Sequence, residues 1–237
     1  TLWHTLSLHD ALPIWDLPAH LDRPHAHAGD GPRRRPHASV WLGLGGFLFA
    51  AGAEGGSVLW LRTFLQDEVR LSESQAFLSL TALLAGVTLV RVWLGFTRRR
   101  IGAELIVASA LVAAGGLLVL RRVQTPLAAH GLAFVLGAAM GGFWPLLTAL
   151  LYDRVARGHG LLTGGIIVTS ASGGILFTSL IGYLGDQVGL RAALHVPAAC
   201  ALLYMAVYVL YGAIAPKPAP VEEATTTTEP VREPWPA

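Results

Sequence analysis

The chain has 237 residues, of which 53% are hydrophobic and only 14% charged, with a formal net charge of +2 and a mean hydropathy of +0.54. A soluble domain carries about 25% charged residues, so an ordinary soluble enzyme is excluded, and the apolar blocks exclude disorder for most of the chain. The single cysteine, Cys200, excludes a disulfide framework and a cysteine metal cluster within the chain, no cofactor is expected, and the basic residues sit at block ends rather than on one stripe, which excludes nucleic acid as a partner.

In chain order, residues 1–14 come first, and Thr5 to Ile14 read TLSLHDALPI. This string resembles one reading frame of a sequencing-adapter oligonucleotide, so residues 1–14 are expected to be a translation artefact and are set aside from fold reasoning. The expectation that follows is a chain lacking its true N-terminus. Residues 15–39 are rich in Pro, His and Arg and show no helical or strand period. His20, His25 and His27 can be read as a metal tract, but a disordered basic linker is the plainer reading. Arg33, Arg34 and Arg35 stand where a basic flank precedes a membrane span.

A spanning helix needs about 20 mostly apolar residues, because the hydrocarbon core is ~30 Å thick and each residue rises about 1.5 Å. Six blocks qualify: Val40–Leu65, Ala76–Phe96, Ile101–Leu120, Leu127–Leu151, Gly160–Leu184 and Ala192–Ile214. The expected fold is all-α, a six-helix transmembrane bundle over residues 40–215. Residues 216–237, rich in Pro, Thr and Glu, are expected to form a disordered cytoplasmic tail.

Six spans put both ends on one side of the membrane. With the N-terminus cytoplasmic, the inner segments hold Arg23, Arg33, Arg34, Arg35, Arg98, Arg99, Arg100, Arg154, Arg157, Lys217 and Arg232. The outer loops hold only Arg70, Arg121, Arg122 and Arg191. The positive-inside rule therefore predicts a multi-pass protein of the plasma (inner) membrane with both termini cytoplasmic.

Helices in lipid associate through close packing at small residues. Ser170, Gly174, Thr178 and Gly182 recur along one face of the fifth block, Gly137 and Gly141 lie in the fourth, and Gly52 and Gly56 in the first. Taken singly, each stripe indicates only a packed bundle. The helix breakers say more. Divided three and three, the spans place Gly52-Ala53-Glu54-Gly55-Gly56 in the leading helix of one trio and Gly141-Gly142-Phe143-Trp144-Pro145 in the leading helix of the other. Interrupted helices at equivalent places in two inverted repeats point to a transporter binding site. Both leading helices are therefore expected to be irregular near mid-membrane.

Glu54 lies near the centre of the first block, where an ionised carboxylate costs about 2.5 kcal/mol or more. Such an acid serves a solute or a coupling proton, or else is structural and pairs with a buried arginine or serine. Arg62, two turns on, is expected to snorkel to the outer interface rather than pair with Glu54. Arg91, near the inner end of the second block, either binds carbonyls or acids of a neighbouring helix as a cytoplasmic latch or simply snorkels. Trp60, Phe143 and Trp144 have faces suited to stacking on a sugar ring, although interfacial anchoring accounts for many membrane tryptophans.

These features resemble the C-terminal half, helices seven to twelve, of a major facilitator superfamily transporter. Arg91-Val92-Trp93-Leu94-Gly95-Phe96-Thr97-Arg98-Arg99-Arg100 resembles the family's cytoplasmic loop after helix eight. Gly173-Gly174, followed by the run Gly182 to Arg191, resembles helix eleven and its exit loop. Gly52-Ala53-Glu54 with Trp60, and Phe143-Trp144-Pro145, resemble helices seven and ten of the fucose- and glucose-permease-like branch. The resemblance implies two inverted three-helix repeats and alternating access, coupled to protons or another cation such as sodium. It assigns substrate binding or coupling to Glu54, Trp60, Phe143, Trp144 and Pro145, and cytoplasmic gating to Arg91, Gly95 and Arg98. The implied partners are membrane lipid, a small polar solute such as a sugar, a coupling ion, and an N-terminal six-helix half that this chain does not supply. Two alternatives stand beside it. One is a six-span channel or scaffold. The other is a rhomboid-like intramembrane protease using Ser170-Ala171-Ser172-Gly173 with His195.

Overall fold

A computed structural model describes residues 38–97, 102–154 and 159–214. The adapter-like leader, residues 15–37 of the basic linker and the tail lie outside the described residues, while Ala38 and Ser39, expected to end the linker, begin the first helix. All eight helices among the described residues belong to one compact unit: α1 (Ala38–Asp67), α2 (Glu73–Phe96), α3 (Ala103–Leu120), α4 (Pro126–Met140), α5 (Phe143–Arg154), α6 (His159–Val188), α7 (Leu190–Ala193) and α8 (His195–Ile214). They make six membrane-length spans, because α4 and α5 are one span interrupted at Gly141-Gly142, and α7 and α8 another interrupted at Leu194. The protein is a multi-pass membrane protein of all-α fold. Its outward faces carry large apolar side chains such as Phe77, Leu89, Leu127, Ile167 and Ile175, a surface that water does not tolerate but lipid does.

Local chemistry sets the helix ends. Ser72 caps α2, its hydroxyl accepting from the Gln75 backbone N–H while the Gln75 side chain accepts from the Ser72 N–H. Pro126 opens α4, where its missing N–H is no loss. Gly189, between α6 and α7, adopts φ +86° and ψ 152°, a conformation essentially reserved for glycine.

The packing has the symmetry of two trios. The leading span of the first trio, α1, packs on α6 and α8, the second and third spans of the other trio. The leading span of the second trio, α4 with α5, packs through α4 on α2 and α3 in the same way. The two third spans, α3 and α8, pack on each other. Exchange of the trios leaves these pairings unchanged, as two inverted repeats require.

Glycine makes the two main crossings possible. A Cβ on Gly137 of α4 would overlap the Leu83 carbonyl of α2, and one on Gly86 would overlap the Phe134 carbonyl. In the equivalent crossing, a Cβ on Gly173 of α6 would overlap the Leu48 carbonyl of α1. Backbones thus touch directly, the contact that replaces the hydrophobic effect inside a bilayer. Beside the α2–α4 crossing, the Ser79 hydroxyl and His130 Nδ1 form a 2.8 Å hydrogen bond. In the fifth span the close approach falls on Gly173, whereas its neighbour Gly174 has nothing within 4 Å.

One expected symmetry is absent. The α1 helix runs unbroken through Gly52–Gly56, so the irregularity expected there does not occur. Glycine lowers the cost of bending but keeps its backbone N–H, so every turn can still close. Gly52 and Gly56 serve packing instead: a Cβ on Gly52 would strike Phe177 and Cys200, and one on Gly56 would come within 2.6 Å of Ile181.

Candidate functional site

Pro145 is the origin of the break in the fourth span. It occupies the third position of α5, where its lack of an N–H is harmless to α5 itself. The carbonyl four residues back, that of Gly141, therefore loses its helical donor. The chain opens at Gly141-Gly142, and helical bonding resumes with the Leu146 N–H donating to Gly142 at 3.1 Å. The helix thus opens one turn before the proline.

Arg91 of α2 occupies that opening. Its Nε donates to the Gly141 carbonyl over a long 3.4 Å, and its Nη2 donates to both oxygens of Glu54 on α1, at 2.7 and 2.8 Å. One guanidinium therefore ties together the acid of the first span, the second span and the freed carbonyl of the fourth. The Glu54 side chain is 16% exposed and that of Arg91 43%. Among the sequence expectations for Arg91, binding to an acid and a carbonyl of neighbouring helices is what the geometry shows. Arg62 pairs with Glu73 at the start of α2 and not with Glu54. Two ion pairs thus tether α1 to α2.

The Glu54–Arg91 pair stands on the wall of an open cavity of about 1070 Å³. Its lining comes from α1 (Ala51, Gly55, Val58), α2 (Leu84), α5 (Trp144, Pro145, Thr148, Ala149, Tyr152) and α6 (Gly174). These are the first two spans of each trio, so the cavity lies on the seam between the repeats. Its walls are mainly apolar, with the ion pair, the Thr148 hydroxyl and the Trp144 and Tyr152 side chains as polar features. Trp144 is positioned by an edge-on contact with Phe47, ring centroids 5.4 Å apart. The Tyr152 hydroxyl is hydrogen-bonded to Thr163 of α6.

Of the expected site residues, the fold brings Glu54, Trp144 and Pro145 together with Arg91 at this cavity. It does not bring Trp60 or Phe143 there, and the stacking role expected of both is corrected. The Trp60 indole donates to the Thr178 carbonyl at 3.0 Å, and its ring covers Gly182, so it clasps α1 to α6. Phe143 is buried, stacked on Tyr204 at 4.3 Å, and its carbonyl accepts from the Tyr204 hydroxyl at 2.9 Å. Phe143 therefore holds α8 against the helix break. Gly95 is exposed with nothing within 4 Å, and Arg98 lies outside the described residues. Thr148, Ala149 and Tyr152 were not singled out from sequence, although their spacing of about one turn from Trp144 and Pro145 puts them on one face of α5.

The serine–histidine pair of the protease alternative is not formed. Ser172 lies in the middle of α6 (His159–Val188), well over ten residues before its end, while His195, beyond that end, bonds Arg121 and the Ala192 carbonyl at the end of the bundle remote from the described termini.

No protein-family model and no curated protein matches the chain. By structure the chain is similar to the solved POT family transporter PepTSo, with a TM-score of 0.66 and 16% identity over 79% of this chain. The likeness shows the fold: the six-span helical bundle is arranged as in part of that transporter. The match spans 40% of the length of that transporter.

Proposed function

We propose that this bundle is one half of a secondary active transporter that moves a small polar solute across the membrane by alternating access. The observation that carries the reading is the Arg91 guanidinium, held between Glu54 and the Gly141 carbonyl freed by Pro145, on the wall of a cavity at the repeat seam. A charged pair inside a span is costly to place there unless it faces a bundle interior or water and is used. A solute or a proton that competes for either partner would loosen the tie between α1, α2 and the α4–α5 break, and these three elements line the cavity. The coupling ion in this reading is a proton or another cation that acts at Glu54. A second six-helix bundle would close the open side of the cavity. We place the protein in the plasma (inner) membrane with both termini cytoplasmic, on the distribution of arginines.

A sugar as the solute rests on Trp144 alone among the aromatic residues first considered, and the fucose- and glucose-permease-like branch rests only on the short segments around Glu54 and Pro145. The structural neighbour is a POT family transporter.

Uptake by cells or proteoliposomes containing the bundle together with a second six-helix half, measured with a panel of small polar solutes and an imposed proton gradient, tests the reading. Saturable, gradient-dependent uptake that falls at least tenfold in Glu54→Gln at unchanged membrane insertion is the expected result. Unitary ion currents without saturable uptake would favour the channel alternative. Uptake indifferent to both Glu54→Gln and Arg91→Gln would overturn the assignment of the site.

A further inference from the structure

A second cluster of charge stands apart from the cavity, at the end of the bundle remote from the described termini. Arg121 and Arg122 follow the last turn of α3, Arg191 lies in α7, and His195 begins α8. With Leu118 and Val119 they line a recess of about 510 Å³. Arg191 is neutralised by Glu68, its Nε 3.0 Å from Oε2, and it also donates to the Glu68 and Arg121 carbonyls. No carboxylate among the described residues pairs with Arg121 or Arg122.

His195 orients Arg121 without neutralising it. The histidine Nδ1 is 2.8 Å from the Ala192 carbonyl, which can only accept, so Nδ1 carries the proton. Nε2 is then an acceptor and takes a hydrogen bond from Arg121 Nη1 at 2.6 Å. The Nε of Arg121 is buried with no hydrogen-bond partner. The carbonyls at the end of α3 do not need these guanidinium groups either. The Val119 carbonyl receives the Arg122 N–H at 2.8 Å and the Leu120 carbonyl the Val123 N–H at 3.1 Å. Arg121, held by His195, and Arg122, exposed beside it, thus carry charge that no carboxylate among the described residues offsets.

The surroundings say which anion fits. Leu118 and Val119, one turn into the span, are 43% and 56% exposed and belong to the apolar belt of α3. The arginines stand where that belt ends, at headgroup level. An anion with apolar chains matches both parts at once, whereas a free small anion uses only the arginines.

We propose that Arg121 and Arg122, with His195 orienting Arg121, form a binding site for the phosphate of an anionic phospholipid, whose acyl chains lie along Leu118 and Val119. Basic residues at a membrane surface attract anionic lipid strongly enough that each arginine removed should weaken binding about fivefold.

Native mass spectrometry of the whole chain in detergent, titrated with phosphatidylglycerol or phosphatidylcholine, tests this. One tightly held phosphatidylglycerol is expected, with phosphatidylcholine held far less. Arg122→Gln should weaken it about fivefold and the Arg121→Gln/Arg122→Gln pair further. Arg70→Gln removes the same charge from the same end of the bundle outside the recess and should leave retention intact. Arg122 is exposed at its surface, so its replacement keeps the fold and the test does not depend on the Arg121 variant. Equal retention of both lipids, equal loss in Arg70→Gln, or unchanged binding in the double variant would overturn the site. Displacement of phosphatidylglycerol by millimolar inorganic phosphate, with phosphate alone protecting the fold, would overturn the lipid as its occupant.

Discussion

Replacing Arg91 by glutamine should damage the fold more than replacing Glu54 by glutamine, although each removes the same ion pair. The two partners are unequally buried, with 43% of the Arg91 side chain exposed against 16% for Glu54. Without Glu54, the arginine can turn toward water in the open cavity. Without Arg91, the carboxylate loses both of its hydrogen bonds, and its burial gives it little water to replace them. Breaking a fully buried pair from one side costs about 3–5 kcal/mol, and an exposed pair is worth about 1 kcal/mol or less. This pair lies between those limits, so Arg91→Gln should cost about 2 kcal/mol and Glu54→Gln about 1 kcal/mol. The double variant leaves two neutral amides and no stranded charge. It should be no less stable than Glu54→Gln alone, which gives a coupling energy of about 2 kcal/mol. Equilibrium unfolding of the chain in mixed micelles, titrated with a denaturing detergent, measures all four corners of this cycle. If Glu54→Gln proves the more damaging change, or the coupling falls below about 0.5 kcal/mol, the pair does not organise α1 and α2 as argued.

Gly137→Ala drives a Cβ into the Leu83 backbone and should cost about 1–3 kcal/mol, whereas Gly174→Ala, with nothing within 4 Å, should leave thermal stability in detergent unchanged. Pro145→Ala restores an N–H that competes with Arg91 for the Gly141 carbonyl. It should straighten the fourth span, seen as a changed spin-label distance between the ends of α4 and α5, and slow turnover more than it weakens solute affinity. Trp60→Phe removes the hydrogen bond to Thr178 and should lower stability by about 0.5–1.5 kcal/mol. Solute affinity should be unaffected, and a large loss of affinity would return Trp60 to the cavity wall.

Much of the architecture was legible before any coordinates. In a bilayer each span must satisfy its own backbone, so length and apolarity mark the helices, and the six blocks correspond to the six spans. The acid in the first span and the proline in the fourth were visible because each breaks a rule of its surroundings. Trp60 and Phe143 break no such rule, and a ring in an apolar helix faces a cavity or a neighbour with equal ease, so the sequence does not say that both pack against neighbouring helices. The break expected at Gly52–Gly56 failed for a related reason. Glycine permits a bend, whereas proline imposes one by deleting a donor.

By itself, then, the amino-acid order determined which segments cross the membrane, and that Glu54, Arg62 and Arg91 had to be accommodated within spans. Tertiary structure alone decided their partners. Glu54 and Arg91 are 37 residues apart, and Arg62, only eight positions from Glu54 on the same helix, binds Glu73 instead. Helices that are apolar all round carry no stripe to say which face turns inward. Their neighbours are set by where two backbones fit together, and that fit exists only once all six spans are assembled.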